Sequence, residues 1–474
     1  MLFAGAEVDG RRVDVRVTGM TVSAVSPRLR PLPDEDVVAA GGGALLPGLH
    51  DHHLHLLAMA AAAESVPCGP DDVAGRAQLG ELLRAASKKL PAGRWLRATG
   101  YHDSVAGPLD RHALDALLPD RPLRVQHRGG ALWVLNSAAL GIVGPRLDGT
   151  ADVERTPDGT PTGRLWRYDA RLRAIVGGEP PQLAAVGRRL AELGITGVTD
   201  ATPDLDDGGQ RLIVAAVADG SLPVRVVLLG GRAGGPLATT QAGTPDAHGP
   251  VVLGPWKLLL RDHDLPSLDE LVGAVGRSHA AGRPVAVHCV SRESLLLALT
   301  AIEQAGAVSG DRIEHASVVP EPARDWIARL GLRVVTQPAF IADRGDDYLV
   351  DVAPDDRPLL YPYASLLAAG AQVAAASDAP FGELDPWRVI AAATSRLTRS
   401  GRTLVASERV PAATALAGYL APPEDPGGAS RRVEVGAIAD LCLLRAPLAT
   451  ALGEPSAELV RLTMRSGALT WPSS

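Results

Sequence analysis

The chain has 474 residues and a formal net charge of −7, from 47 Lys and Arg against 54 Asp and Glu. This mild charge argues against nucleic acid as the main partner, and the length allows a large core and more than one structural unit. The 3 cysteines make no CxxC pair and no disulfide framework, so we expect a cytoplasmic protein. The sequence shows no secretory leader pattern and no membrane-spanning apolar run, which predicts that no membrane is involved.

Both ends of the chain predict short strands. Residues 13–17 and 20–25 alternate apolar and polar side chains, and the tail has strand patterns at 435–444 and 459–464. Residues 1–43 are too few to close a core by themselves. We therefore predict one small β-sandwich domain built from both termini, residues 1–43 and 405–474.

The most informative stretch is PGLHDHHLHL at 47–56, which follows an apolar run at 44–46. We interpret the run as a short buried strand that leads into the histidines. Alternate side chains of a strand point to the same face, so His53 and His55 can offer two nitrogen ligands to one metal ion. The alternative is a His-rich turn without a function.

From about residue 182, apolar strands alternate with helices. Ser267 and Glu270 form a capping-box pattern at one helix start, and a Gly-rich loop separates the strands at 224–229 and 256–260. Eight strands are predicted: the strand carrying His53, then 195–200, 224–229, 256–260, 285–288, 312–315, 333–336 and 373–378.

This alternation predicts an α/β fold, a (β/α)8 TIM-type barrel over residues 44–404. Residues 60–185 have a different texture and are predicted to be a subdomain inserted after barrel strand 1. An open doubly wound sheet is the alternative, but no GxGxxG motif follows a strand at a helix start.

Polar residues stand at the ends of five of these strands. Because strand ends of a barrel meet at one mouth, they predict a metal site there. Each has a simpler alternative, a core histidine or a turn aspartate. Lys257 lies in an apolar run, where an amine is costly unless it is paired or converted by carbon dioxide to a carbamate. The predicted ligands are His53, His55, Lys257, His288, His315 and Asp378.

The histidine motif resembles the signature of the metal-dependent amidohydrolase superfamily. GYHDS at 100–104, NSAAL at 136–140, GTPTG at 159–163 and RIEH at 312–315 resemble the branch that includes N-substituted formamide deformylase. The resemblance implies that His53, His55, His288, His315 and Asp378 are metal ligands and that Lys257 is a carboxylated bridge. The sequence departs from the branch around the expected pocket, with Ser291-Arg292 where Gly-Asp is usual.

These features predict a metal-dependent hydrolase acting on a carbon–nitrogen bond, most simply an amide of a small molecule. The cofactor would be one or two divalent ions, of which zinc fits best, with Asp378 as general base and acid. A deaminase or cyclic amidohydrolase using the same site, and a non-catalytic scaffold barrel, are the alternatives. Tyr101, His102 and His127 are candidate substrate contacts, with packing or surface roles as the alternative. The sequence leaves the oligomeric state open, and a homodimer is one of the alternatives.

Overall fold

The computed structural model describes residues 1–177, 180–203, 205–231 and 250–472. The chain divides into two compact units, Met1–Leu56 with Leu183–Ser474 and Leu57–Gln182. The second unit covers nearly the same residues as the predicted insertion at 60–185. Whether it folds as a domain of its own, with the predicted boundaries, stays a prediction.

Strands and helices alternate through most of the described residues. None of the described helices has both the length and the apolar character needed to cross a membrane. The strands are β1 (Leu2–Val8), β2 (Arg11–Thr18), β3 (Thr21–Ser26), β4 (Val37–Ala39), β5 (Leu45–Pro47), β6 (Leu49–Leu54), β7 (Val66–Pro67), β8 (Leu96–Tyr101), β9 (Leu123–His127), β10 (Leu132–Leu135), β11 (Val153–Arg155), β12 (Pro161–Trp166), β13 (Ile195–Asp200), β14 (Arg225–Leu228), β15 (Val251–Leu253), β16 (Trp256–Leu259), β17 (Val285–Cys289), β18 (Arg312–His315), β19 (Arg333–Thr336), β20 (Gln372–Ala375), β21 (Leu441–Leu444), β22 (Val460–Arg465) and β23 (Ala468–Trp471). The helices are α1 (Leu56–Ala63), α2 (Arg76–Lys89), α3 (Asp103–Ala106), α4 (Arg111–Asp115), α5 (Ser137–Val143), α6 (Asp169–Val176), α7 (Ala184–Glu192), α8 (Asp207–Ala218), α9 (Leu268–Ala280), α10 (Arg292–Ala305), α11 (Glu321–Arg329), α12 (Ala339–Asp351), α13 (Ala364–Ala368), α14 (Pro386–Ser395), α15 (Ala412–Leu420) and α16 (Leu448–Gly453).

Two parallel sheets form the centre of the first unit. One has the strand order β15-β14-β13-β6 and the other β16-β17-β18-β19-β20. Backbone hydrogen bonds connect strand ends of the two sheets, from Lys257 N–H to the Leu229 carbonyl (3.0 Å) and from Asp378 N–H to the His53 carbonyl (2.8 Å). Buried parallel strands joined through helices are the pattern of a mixed α/β fold of the TIM-barrel type.

Most predicted elements of this unit are present. The strands predicted at 195–200, 312–315 and 333–336 have those same bounds as β13, β18 and β19. The capping box is also present, because the Ser267 hydroxyl accepts the Glu270 N–H at the start of α9. The buried-strand pattern therefore located these three strands from the sequence.

Two predictions about strands were wrong. The two parallel sheets contain nine described strands, whereas eight were predicted. The additional strand is β15, which lies in the stretch assigned to a Gly-rich loop. Residues 232–249 of that loop lie outside the described residues. The apolar run at 44–46 does not lead directly into the histidines. It forms β5, which pairs antiparallel with β21, whereas β6 begins at Leu49 and pairs with β13. A three-residue apolar run carries no period by which either assignment could be made.

The two ends of the chain form two four-stranded sheets, with the orders β3-β2-β1-β4 and β23-β22-β21-β5. An isolated bridge joins Thr21 to Ile438, and the Gly436 N–H donates to the Val22 carbonyl (2.8 Å). Side chains from both sheets pack in one apolar cluster that includes Phe3, Val15, Leu441, Leu443 and Met464. Strands from residues 1–43 and from the tail thus share one core.

The second unit contains a six-stranded sheet of order β11-β12-β10-β9-β8-β7. Its helix α2 has Leu79 and Leu83 on its buried face, and β9 lies between β8 and β10 in the sheet. The two faces of the sheet contribute to separate apolar clusters, one including Leu132 and Val134 and the other Trp133 and Leu135. This follows from the alternation of side chains along β10.

Gly48, which separates β5 from β6, provides a test of this arrangement. A Cβ atom there would lie 2.2 Å from Thr196 Oγ1, a contact that neither strand can relieve without moving. We expect Gly48→Ala to lower the free energy of unfolding by roughly 1–3 kcal/mol, the usual cost of overpacking. Gly276→Ala in α9 is the control, because a Cβ atom there would have no atom within 4 Å other than those of its chain neighbours and its own helix backbone. Chemical denaturation of both variants checks this, and an unchanged Gly48→Ala protein would contradict the packing.

Candidate metal centre

The histidines of the PGLHDHHLHL motif separate into two pairs. His50 and His52 lie together, with ring centroids 4.6 Å apart, and their Nε2 atoms contact Thr199 Oγ1 (2.9 Å) and the Gly418 carbonyl (3.1 Å). His53 and His55 form the other pair, with centroids 5.5 Å apart. Only this second pair approaches the other predicted ligands.

His53 and His55 converge on Asp378, which follows β20. Asp378 Oδ1 lies 3.6 Å from His53 Nε2 and 3.1 Å from His55 Nε2. His53, His315 and Asp378 each offer a ligand atom within 4.8 Å of the others, and all three residues are buried. The structure therefore contains a candidate metal site built from the ends of three strands.

The two remaining predicted ligands flank this group. The His288 ring lies 4.4 Å from the His315 ring, centroid to centroid, and burial lowers the pKa of His288 well below its usual value. Lys257 is buried, and its Nζ lies 4.0 Å from Glu314 Oε2. His288 therefore lies beside the candidate site. Lys257 lies next to the carboxylate of Glu314, which is not among the predicted ligands.

Two of the candidate ligands have an unusual backbone conformation at the ends of their strands. His315 has φ +69° and Asp378 has φ +56°, left-handed values that few residues other than glycine adopt. The N–H of Asp378 donates to the His53 carbonyl, and the N–H of His55 donates to the Ala379 carbonyl (2.8 Å each). Unfavourable backbone conformations held in place by hydrogen bonds are typical of functional sites.

Glu314 is the main residue that the sequence analysis missed. It is fully buried on β18, where its carboxylate accepts hydrogen bonds from His53 Nδ1 and Arg312 Nε. Burial opposes its ionisation, but the charges of Arg312 and Lys257 hold the pKa of Glu314 well below its usual value. The signal was the RIEH motif itself, since a charged residue in a buried strand must have a partner.

Two further residues at the site were not predicted by any motif. His55 Nδ1 lies 3.2 Å from Thr202 Oγ1, and His315 Nδ1 lies 2.8 Å from Gln337 Oε1. Glu314 and Gln337 each provide an acceptor for the Nδ1 atom of one imidazole, that of His53 and that of His315, and the Thr202 hydroxyl can donate to His55 Nδ1 or accept from it. Partners of this kind fix the orientation and tautomer of ligand histidines and leave Nε2 available to a metal.

Burial sets the charge state of the group. It lowers the pKa of His53 to about 3 and that of Lys257 to about 8, and it also lowers the pKa of His315, because the protonated forms lose hydration. Burial would raise the pKa of Asp378, but the hydrogen bond from His55 and the nearby imidazoles hold it below its usual value. Neutral imidazoles beside an ionised carboxylate are a suitable donor set for a divalent cation.

The unsatisfied atoms of the site agree with a metal ion. His53 Nε2 and Lys257 Nζ are buried without a hydrogen-bond partner among the described residues. Buried polar atoms of this kind are costly unless a further group satisfies them. Coordination would satisfy the lone pair of His53, so a divalent ion fits the residues present.

The predicted substrate contacts lie in the second unit. Tyr101 is buried, and its hydroxyl donates to the Gly107 carbonyl, which is an adequate packing role. His102 caps α3 by accepting the Ser104 N–H (3.3 Å), and its ring lies 5.6 Å from that of His127. A role of Tyr101, His102 and His127 in substrate binding stays a prediction.

The chain is similar to a curated enzyme and to solved structures of hydrolases. N-substituted formamide deformylase from Arthrobacter pascens is 27% identical over 484 residues, covering 89% of this chain and 87% of the relative. The crystal structure of an uncharacterized metal-dependent hydrolase from Pyrococcus furiosus has a TM-score of 0.71 at 21% identity, covering 94% of this chain and 99% of that one. That of a mutant atrazine chlorohydrolase from Arthrobacter aurescens, complexed with zinc, has a TM-score of 0.56 at 15% identity, covering 99% and 94%.

A family-level match spans most of the sequence. Residues 36–470 match the model of the amidohydrolase family. This range includes the parallel strands, the candidate metal centre and the second unit. The solved structures support the same TIM-barrel-type fold. The chain belongs to the amidohydrolase family and is a hydrolase that acts on carbon–nitrogen bonds.

Proposed function

We propose that the protein is a metal-dependent hydrolase of a non-peptide amide bond in a small molecule. The observation that carries the proposal is the convergence of His53, His315 and Asp378 at the ends of three strands. The similarity to N-substituted formamide deformylase favours N-substituted formamides as the first substrates to test.

The metal would be held by the residues predicted from the sequence, namely His53, His55, His288, His315 and Asp378. Four imidazoles and a carboxylate favour zinc, which also occurs in the related atrazine chlorohydrolase complex. For Lys257 we propose conversion to a carbamate: the neutral amine adds to carbon dioxide, forms the N–C bond and loses one proton. A carboxylate at this position would allow two ions to be bound.

The chemistry of the site would depend on Asp378. A bound divalent cation lowers the pKa of the attacking water and polarises the substrate carbonyl. Asp378 is ionised, so one of its carboxylate oxygens can accept the proton of that water and then deliver it to the leaving nitrogen.

The finer features of the fold are proposals of the same kind. We propose that the two parallel sheets close into one (β/α)8 barrel and that the two terminal sheets form a β-sandwich around their common core. Tyr101, His102 and His127 would contact substrate. The cytoplasmic location, the absence of a membrane or nucleic acid partner and the homodimer stay predictions.

Replacing the proposed base should remove turnover. We expect Asp378→Asn to lower kcat for an N-substituted formamide by about 100-fold or more, the usual contribution of general acid–base catalysis. Steady-state kinetics with metal content measured on the same sample checks this, and the exposed Asp325→Asn on α11 is the control. A variant with wild-type kcat would remove Asp378 from the mechanism.

Removal of metal provides a second test. Dialysis against a chelator should abolish hydrolysis, and added Zn²⁺ should restore it, because the buried imidazoles cannot activate water by themselves. Elemental analysis before and after dialysis measures the stoichiometry. A panel of N-acyl compounds, cyclic imides and amino-heterocycles then assigns the reaction. Protein that is purified without metal, or that is fully active after the metal is removed, would contradict the proposal.

A further inference from the structure

We propose that Gln337 is a positioning residue of the metal centre, which holds His315 in the tautomer that a metal ion can bind. The inference rests on the proposed function, because His315 is one of the proposed ligands. Gln337 follows β19 and is fully buried, and its Oε1 lies 2.8 Å from His315 Nδ1. An amide oxygen only accepts hydrogen bonds, so Nδ1 carries the proton and Nε2 keeps the lone pair that a metal requires.

The rest of the Gln337 amide argues against a role in stability. Its Nε2 atom is buried and has no hydrogen-bond partner within the part of the chain that the structure describes. A buried N–H group without a partner destabilises the fold, whereas an apolar side chain of similar size would not. Among the described residues, the hydrogen bond of this amide is therefore the one with His315.

His315 Nδ1 lies closer to Gln337 than to the proposed base. His315 Nδ1 lies 3.9 Å from Asp378 Oδ2, which is too long for a hydrogen bond, and 2.8 Å from Gln337 Oε1. If the amide oxygen were absent, a small rotation of the imidazole would make Asp378 its new acceptor. The carboxylate would then be occupied by a ligand and unable to take a proton from water.

Both partners of this hydrogen bond are held by their backbones. The Phe340 N–H donates to the Gln337 carbonyl (3.1 Å) at the turn into α12. His315, at the end of the neighbouring strand β18, has the left-handed φ of +69°. The contact thus joins two fixed strand ends, as a positioning role requires.

Three variants test the inference. Gln337→Leu removes the acceptor with little change in volume, and Gln337→Glu keeps an oxygen at the same place. Thr336→Val is the matched control, because Thr336 is equally buried and its hydroxyl has no partner among the described residues. Zn²⁺ affinity is measured by competition with a chromophoric chelator, and the melting temperature of each metal-free protein is recorded.

We expect Gln337→Leu to bind Zn²⁺ about 10- to 100-fold more weakly, the usual effect of losing the partner of a ligand histidine. Its metal-free form should melt no lower than the wild type. Gln337→Glu should recover most of the affinity, and Thr336→Val should match the wild type. The ¹⁵N spectrum of histidine-labelled protein without metal provides a second measurement. Gln337→Leu should change the Nδ1 signal of one histidine. His315→Ala identifies that histidine, because the same signal should be missing from its spectrum.

Other results would overturn the inference. Unchanged affinity in Gln337→Leu, or a loss of affinity accompanied by an equal loss of stability in the metal-free protein, would leave Gln337 without a positioning role. The same holds if folded Gln337→Glu binds as weakly as Gln337→Leu. Failure of the proposed function is distinguishable, because the wild-type protein itself would then bind no Zn²⁺ in the competition assay.

Discussion

The candidate site depends on one buried network of charged and polar groups that connects the two parallel sheets. Arg312 and Glu314 on β18 form an ion pair, Glu314 accepts a hydrogen bond from His53, and Arg312 donates to the His52 carbonyl (3.0 Å). None of these groups is accessible to water, so each must be satisfied inside the protein. The position of the histidine motif is therefore determined by a strand more than 250 residues further along the chain.

Around this network of contacts, several buried atoms and backbone conformations are unfavourable for the stability of the fold. Buried atoms such as His53 Nε2, Lys257 Nζ and Gln337 Nε2 have no partner among the described residues, and two ligands have left-handed backbones. Each feature has a cost in the folded state, and such costs are expected where a structure is organised to hold a ligand or a metal. Their occurrence together at these strand ends agrees with a functional centre there.

The organisation of the first unit also explains how a short motif reaches the centre of the fold. β5 belongs to the C-terminal sheet and β6 to a parallel sheet, with only Gly48 between them. The close approach of Gly48 to Thr196 lets the chain cross from one sheet to the other in a single step. The C-terminal sheet is thereby continuous, through β5 and Gly48, with the strand that carries His53.

The sequence by itself was sufficient to predict the parallel strands, the capping box and the residue types at the strand ends, because these depend on local periodicity and on spacing within one strand. It could not reveal the extra strand β15 or the division between β5 and β6, since runs of three apolar residues have no distinctive period. The partners of the ligands were also hidden. Gln337 lies 22 residues from His315 and Thr202 lies 147 from His55, so only the packing of the strands decides that they meet.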